Sequence, residues 1–141
     1  MALELTVVTP EGEAFQGPVL SVVLPGIEGD FGVLEGHEPF LSALRIGRLE
    51  LTGEDGRKRL ACVSRGFAEI HGDAVSVMVG TCEFSDEIDR DRAERQRERT
   101  KKALADLRHD PAMAAEAAAL EDAYEKAVTR LHVVEQHPSR N

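Results

Sequence analysis

The chain has 141 residues, 42% hydrophobic and 30% charged, which suits a folded protein of about one domain and excludes disorder throughout. Seventeen Lys and Arg against 26 Asp and Glu leave a formal net charge of −9, and aromatics are only 4% with no Trp. That balance excludes general binding to nucleic acid, whose affinity rests on phosphate neutralisation and base stacking, and no apolar run approaches the roughly 20 residues of a membrane span.

In chain order, Leu3-Glu4-Leu5-Thr6-Val7 alternates with period two, as a half-buried strand does, and Thr9-Pro10-Glu11-Gly12 reads as a turn. Val19 to Leu24 is a strand run. Pro25 to Pro39 holds four glycines and two prolines in 15 residues, which reads as a rigid, tightly turned loop with Asp30 and Phe31 at its tip. Arg48 to Thr52 alternates again and turns through Glu54-Asp55-Gly56 into Lys58 to Ser64. Gly66 to Ile70 and Ala74 to Val79 form one more hairpin around His71-Gly72-Asp73. Short strands in succession with no helix between them predict an antiparallel β-sandwich.

The grammar changes near Phe84. All 12 glycines lie at or before Gly80, whereas 11 of the 17 alanines lie at or after Ala93. Residues 85–141 therefore read as an antiparallel two-helix hairpin, separate from a sandwich over residues 1–84. Ser85 or Asp86 is expected to cap the first helix, and Asp110-Pro111 to open the second. The second helix carries Met113, Ala117, Leu120, Tyr124, Ala127, Leu131 and Val134 in alternating steps of four and three, an unbroken heptad seam. Ala93, Gln96, Thr100, Ala103 and Leu107 form the weaker matching face of the first. The plain reading of both is internal packing.

Little points to catalysis. GxSxG, HExxH and a glycine-rich phosphate loop are all missing, and Glu35, His37 and Glu38 are too close together to build a tetrahedral metal site. Cys62 and Cys82 read as two small buried thiols in a reducing compartment. The first Lys or Arg is Arg45, so a signal or transit peptide is not expected and the protein should face the cytosol. One segment stands out by charge. Arg90 to Lys102 carries seven basic residues against Asp91, Glu94 and Glu98. It reads either as a solvated helix supported by Asp91–Arg95 and Glu98–Lys102 pairs, or as a surface for an acidic partner.

Taken together, PGxxGxxGVLxxHxP over Pro25 to Pro39, the Ser64-Arg65-Gly66-Phe67-Ala68-Glu69-Ile70 hairpin and Arg130-Leu131-His132-Val133-Val134-Glu135 resemble the epsilon subunit of the rotary F-type ATP synthase. Arg65 stands where that family has the first glycine of a pair. The resemblance implies a ten-stranded sandwich and a helical tail in a non-catalytic central-stalk subunit. Its partners would be the gamma subunit and the membrane rotor ring of c subunits, coupling proton flow to rotation on the cytoplasmic face of a bacterial inner membrane. It further implies a ring contact through Asp30, with Phe31 and His37 close by. The tail would extend to the alpha and beta subunits and inhibit ATP hydrolysis, with Arg95, Arg97, Lys101 and Lys102 facing acidic loops.

No cofactor is required by the resemblance, but some members hold a regulatory ATP through an I/L-D-x-x-R-A motif. Here Ile88, Asp89, Arg92 and Ala93 match it, and Glu83 and Arg99 match further ligand positions. The accompanying R-A-x-x-R-L has Lys126 in place of its first arginine and retains Arg130, so the fork that grips phosphate bidentately is lost at one position. The competing expectation is a free-standing β-sandwich ligand-binding module with a dimerising helical tail. Such a module would present aromatics on one sheet face, and this chain has five Phe and one Tyr.

Overall fold

The computed structural model describes residues 2–107 and 110–136; residues 137–141, the end of the expected tail domain, lie outside them. The chain runs β1 (Leu3–Thr9), β2 (Gly12–Gly26), β3 (Gly29–Leu34), β4 (Phe40–Leu44), β5 (Gly47–Gly53), β6 (Lys58–Val63), β7 (Gly66–His71), β8 (Ala74–Val79), β9 (Cys82–Phe84), α1 (Arg90–Leu107) and α2 (Ala114–Gln136). Short 3₁₀ turns at Ser85–Glu87 and Pro111–Met113 precede the two helices.

The strands pair in the order β1-β8-β7-β4-β2-β5-β6-β9, with β3 also on β2 and β1 also on β2. The 15-residue β2 belongs to both layers. Its first part lies against β1, from Leu3↔Val19 to Thr9↔Gly12, and its second part against β5 and β3. The pairing with β5 slips between Val19 and Ser21, and such a bulge lets one strand bend from one layer into the other. Counted in each layer, β2 brings nine strands to the ten implied by the resemblance. The pairing is antiparallel except for β1 and β8, which run parallel. Inward residues alternate as expected: Leu3, Leu5 and Val7 from β1 meet Val22, Leu24, Leu49, Val63, Ile70 and Val77 in one core. Phe84 closes it at the base, with the Arg59 guanidinium 3.9 Å from its ring centroid.

Three expectations are corrected. The Pro25–Pro39 segment is no loop but mostly a hairpin: β2 continues to Gly26, turns at Ile27-Glu28, and returns as β3. Gly29 sits at φ 134°, where only glycine is unstrained, and this tightens the turn. Asp30 and Phe31 consequently lie in a strand, one and two residues past the Gly26↔Gly29 pair. The helix start is also displaced. Glu87 accepts from the Phe84 backbone N–H at 2.9 Å and Ile88 is extended at φ −87°, so the chain cannot yet be helical there. Asp89 is the cap instead of Ser85 or Asp86: its side chain accepts from Arg92 N–H at 3.1 Å. Finally, neither Asp91–Arg95 nor Glu98–Lys102 pairs. Glu98 lies 3.7 Å from Arg97, and Arg90 reaches Glu135 across the hairpin at 3.8 Å.

The two helices pack along the expected seam, with Ala93 and Thr100 of α1 and Ala127, Leu131 and Val134 of α2 buried. Thr100 fits there because its hydroxyl donates back to the Gln96 carbonyl at 2.8 Å. A second face of α2 escaped the heptad reading. Thr129 and Val133 are also buried, and Val133 joins Leu60, Cys62 and Ile88 in a small cluster against β6. No described helix is long and apolar enough to cross a membrane.

Candidate functional site

The tail docks across one row of the sheet. Arg48, Cys62 and Glu83 are register partners on β5, β6 and β9, and each meets α2. Arg48 bonds Gln136, the Cys62 thiol faces the Lys126 carbonyl at 3.9 Å, and Arg130 Nε donates to Glu83 Oε1 at 2.5 Å. Burial pushes the Cys62 thiol up to about 12, so it is a packed thiol rather than a nucleophile. Cys82 rises to about 12 for the same reason, and both cysteines are free.

Beside this row, at the start of α1, lies a hollow of about 290 Å³ lined by Glu83, Glu87, Asp89, Arg92, Ala93, Gln96 and Arg130. It brings together Glu83, Asp89, Arg92, Ala93 and Arg130 from the expected nucleotide set, joining residues up to 47 positions apart. Other members of that set lie elsewhere. Ile88 is packed under the dock, Arg99 bonds Gln96 and faces a second hollow with Glu94, Arg95, Glu98 and Lys102, and Lys126 does not line the first. Glu87 and Gln96 were not foreseen; Gln96 stands one helical turn beyond Arg92, a spacing that could have flagged it.

The fit to ATP is therefore partial. Three carboxylates and two guanidiniums share the hollow, one guanidinium is already taken by Glu83, and the volume is at the lower edge of the roughly 300–1,000 Å³ of ligand pockets. A phosphate arriving here competes with a carboxylate in place. Among the described residues, no group of three or more His, Cys, Asp or Glu is arranged to hold a metal ion.

A different surface lies on the opposite layer. Ala43↔Phe67, Phe67↔Met78 and Val8↔Met78 are direct partners, so one row crosses β4, β7, β8 and β1. Phe67 is 53% exposed and Met78 50%, with Val8 and the neighbouring Leu41 also open to solvent. These side chains form a contiguous apolar row open to solvent, the kind of surface a binding partner would cover. At one end of the sandwich the β2–β3 turn projects Ile27, 62% exposed. Below it Asp30 pairs with Arg45 at 2.5 Å, Phe31 packs edge-on against Phe40 at 5.4 Å, and His37 lies 6.1 Å from Phe40. The three expected ring-contact residues thus gather at one end, although none is at the tip. Arg95, Lys101 and Lys102 are exposed on α1, and Arg97 is partly so.

Residues 2–85 match the family model for the beta-sandwich domain of the ATP synthase delta/epsilon chain. The chain belongs to that family. Its similarity extends into the tail. The ATP synthase epsilon chain of Nitratidesulfovibrio vulgaris strain DP4 is 38% identical over 132 residues, 94% of this chain and 95% of that one. The epsilon chain of Thermodesulfovibrio yellowstonii is 44% identical over 107 residues, 73% of this chain and 76% of its own length. Among solved structures, a chain of the Euglena gracilis mitochondrial ATP synthase, determined as OSCP/F1/c-ring, superposes with a TM-score of 0.79 at 25% identity, covering 96% of this chain and 82% of that one. The relatives are subunits of a larger enzyme rather than free-standing modules.

Proposed function

We propose that this chain is the non-catalytic central-stalk subunit of a proton-translocating F-type ATP synthase, peripheral to the cytoplasmic face of a bacterial inner membrane. The observation that carries the reading is the exposed Val8–Met78–Phe67–Leu41 surface on a family sandwich whose opposite layer is occupied by the tail. Exposed Phe and Met side chains in a row cost solvation unless a partner covers them. The gamma subunit is the partner assigned to that row. The Ile27 turn, with Asp30, Phe31 and His37 behind it, is assigned to the ring of c subunits. Rotation would pass through these two contacts.

The tail is assigned the restraint of ATP hydrolysis. Its dock is a small apolar cluster and a few polar contacts, weak enough for the helices to leave, extend to the alpha and beta subunits and present Arg95, Arg97, Lys101 and Lys102 to acidic loops of the beta subunits. A regulatory ATP would be held by Arg92 and Arg130 and would favour the docked tail, because a ligand shifts an equilibrium only by its differential affinity. Competition from Glu83 makes that binding weak.

The test is co-assembly. Phe67→Glu with Met78→Glu, both on exposed positions, should leave melting unchanged and prevent co-purification with the gamma subunit. Normal assembly of this variant would overturn the assignment of the row. Removing the tail from the assembled enzyme should raise hydrolysis; an unchanged rate would overturn the inhibitory role alone.

A further inference from the structure

α1 packs chiefly on α2, so α2 carries the dock on the sandwich. Most of its docking residues fall late in the helix: Lys126 through its carbonyl, then Arg130, Val133 and Gln136. One contact lies earlier. Arg65 Nη1 donates to Asp122 Oδ2 at 2.6 Å, about one turn nearer the hairpin's bend than Lys126.

Arg65 belongs to the connection between β6 and β7, and its backbone is held from several directions. Gly80 N–H donates to the Arg65 carbonyl at 3.2 Å, Ser64 N–H to the Thr81 carbonyl at 3.1 Å, and Thr81 N–H to Ser64 Oγ at 2.7 Å. Next along the chain, a side chain at Gly66 would begin 1.8 Å from the Met78 carbonyl oxygen, so the two strands press together there. A guanidinium on so fixed a mount has only its own rotamers to lose on pairing, and its planar fork suits a carboxylate. Asp122 responds: the hydrogen bond from Arg65 holds its carboxyl below the usual carboxylate range.

We propose that Arg65 and Asp122 form a salt-sensitive clamp that holds the earlier part of α2 on the β6–β7 corner and biases the helical hairpin toward its docked position. Without it the dock would begin at Lys126. Both side chains are substantially exposed, at 64% and 41%, so the clamp acts in the small range of surface ion pairs and weakens with salt. A modest bias suffices where the apolar dock is only Leu60, Cys62, Ile88 and Val133. This concerns docking itself, so its test needs no assembled enzyme and can fail independently of the inhibitory reading.

Cys62 supplies the probe. It is 2% exposed and lies beneath α2, so a maleimide reaches it only when the helix lifts. Its modification in the intact protein, resolved from that of Cys82 by peptide mass spectrometry, reports the open population. Arg65→Ala should raise the Cys62 rate at low salt by between about 1.5-fold and fivefold, while exchange of the Val77 amide in the core stays constant. Arg65→Asp should raise it further by like-charge repulsion, and Arg65→Asp combined with Asp122→Arg should return it to within about twofold of the parent. Added salt should speed the parent reaction toward the Arg65→Ala rate. An unchanged rate in Arg65→Ala, no rescue in the exchanged pair, or equal acceleration at Cys62 and Val77 would each overturn the clamp.

Discussion

Val133→Ala is the sharpest perturbation of the dock. Val133 is fully buried, between Leu60, Cys62 and Ile88, and faces the sandwich rather than α1. The substitution removes two methyl groups, about 1.6 kcal/mol at ~0.8 kcal/mol per buried carbon, and the space they leave raises the cost to about 2 kcal/mol. At tenfold per 1.4 kcal/mol this lowers the ratio of docked to undocked tail roughly thirtyfold. Two helices without a dock are marginal, so the lifted tail frays and becomes cleavable. Trypsin cutting after Lys126 and Arg130 should therefore accelerate roughly thirtyfold, in the regime where cleavage tracks the open population. His132→Ala, next in the chain but exposed, is the control and should cut at the parent rate. Equal rates for the two variants would refute the reasoning, because the second buried face of α2 would then contribute nothing. So would a matching loss of stability in β1 and β8, which would make tail and sandwich one cooperative unit.

Gly66→Ala should destabilise the sandwich by about 3 kcal/mol and lower its melting temperature by roughly 15 °C, since the new carbon starts 1.8 Å from the Met78 carbonyl oxygen; thermal unfolding followed by circular dichroism checks it. Both thiols titrate near 9.0 when unfolded and near 12 when folded, so their contribution to stability is complete below pH 9 and is lost as pH rises toward 12. Urea unfolding at a series of alkaline pH values should show that decline, and Cys62→Ala should reduce its slope. ATP titrated into the isolated protein should give weak heats that Arg92→Ala abolishes; identical heats from both would remove the hollow at the start of α1 as the binding place.

How much of this molecule is local shows in which elements the sequence determined by itself. Leu3-Glu4-Leu5-Thr6-Val7 and Arg48 to Thr52 announce their strands because one face is buried and one is wet, and a period of two records that difference in neighbouring residues. The heptad from Met113 to Val134 announces the α1 contact in the same way, whereas it was the family resemblance of Ile88 to Ala93, not any local period, that pointed to most of one wall of the hollow. The strand β3 was hidden because its glycines and the preceding Pro25-Gly26 have the composition of a turn. Its burial pattern is visible only at Phe31 and Val33.

Only the tertiary structure decided the pairings. That β2 serves both layers, that β1 lies parallel to β8, and that Val133 faces β6 all depend on which surfaces remain free after the nearer strands have paired. The ion pairs Arg130–Glu83 and Arg65–Asp122 join residues 47 and 57 positions apart. A charged residue in sequence reveals its need for a partner or for water, but not which one it finds. The partner is set where α2 crosses the Arg48–Cys62–Glu83 row, and that crossing is fixed by long-range packing rather than by any local period.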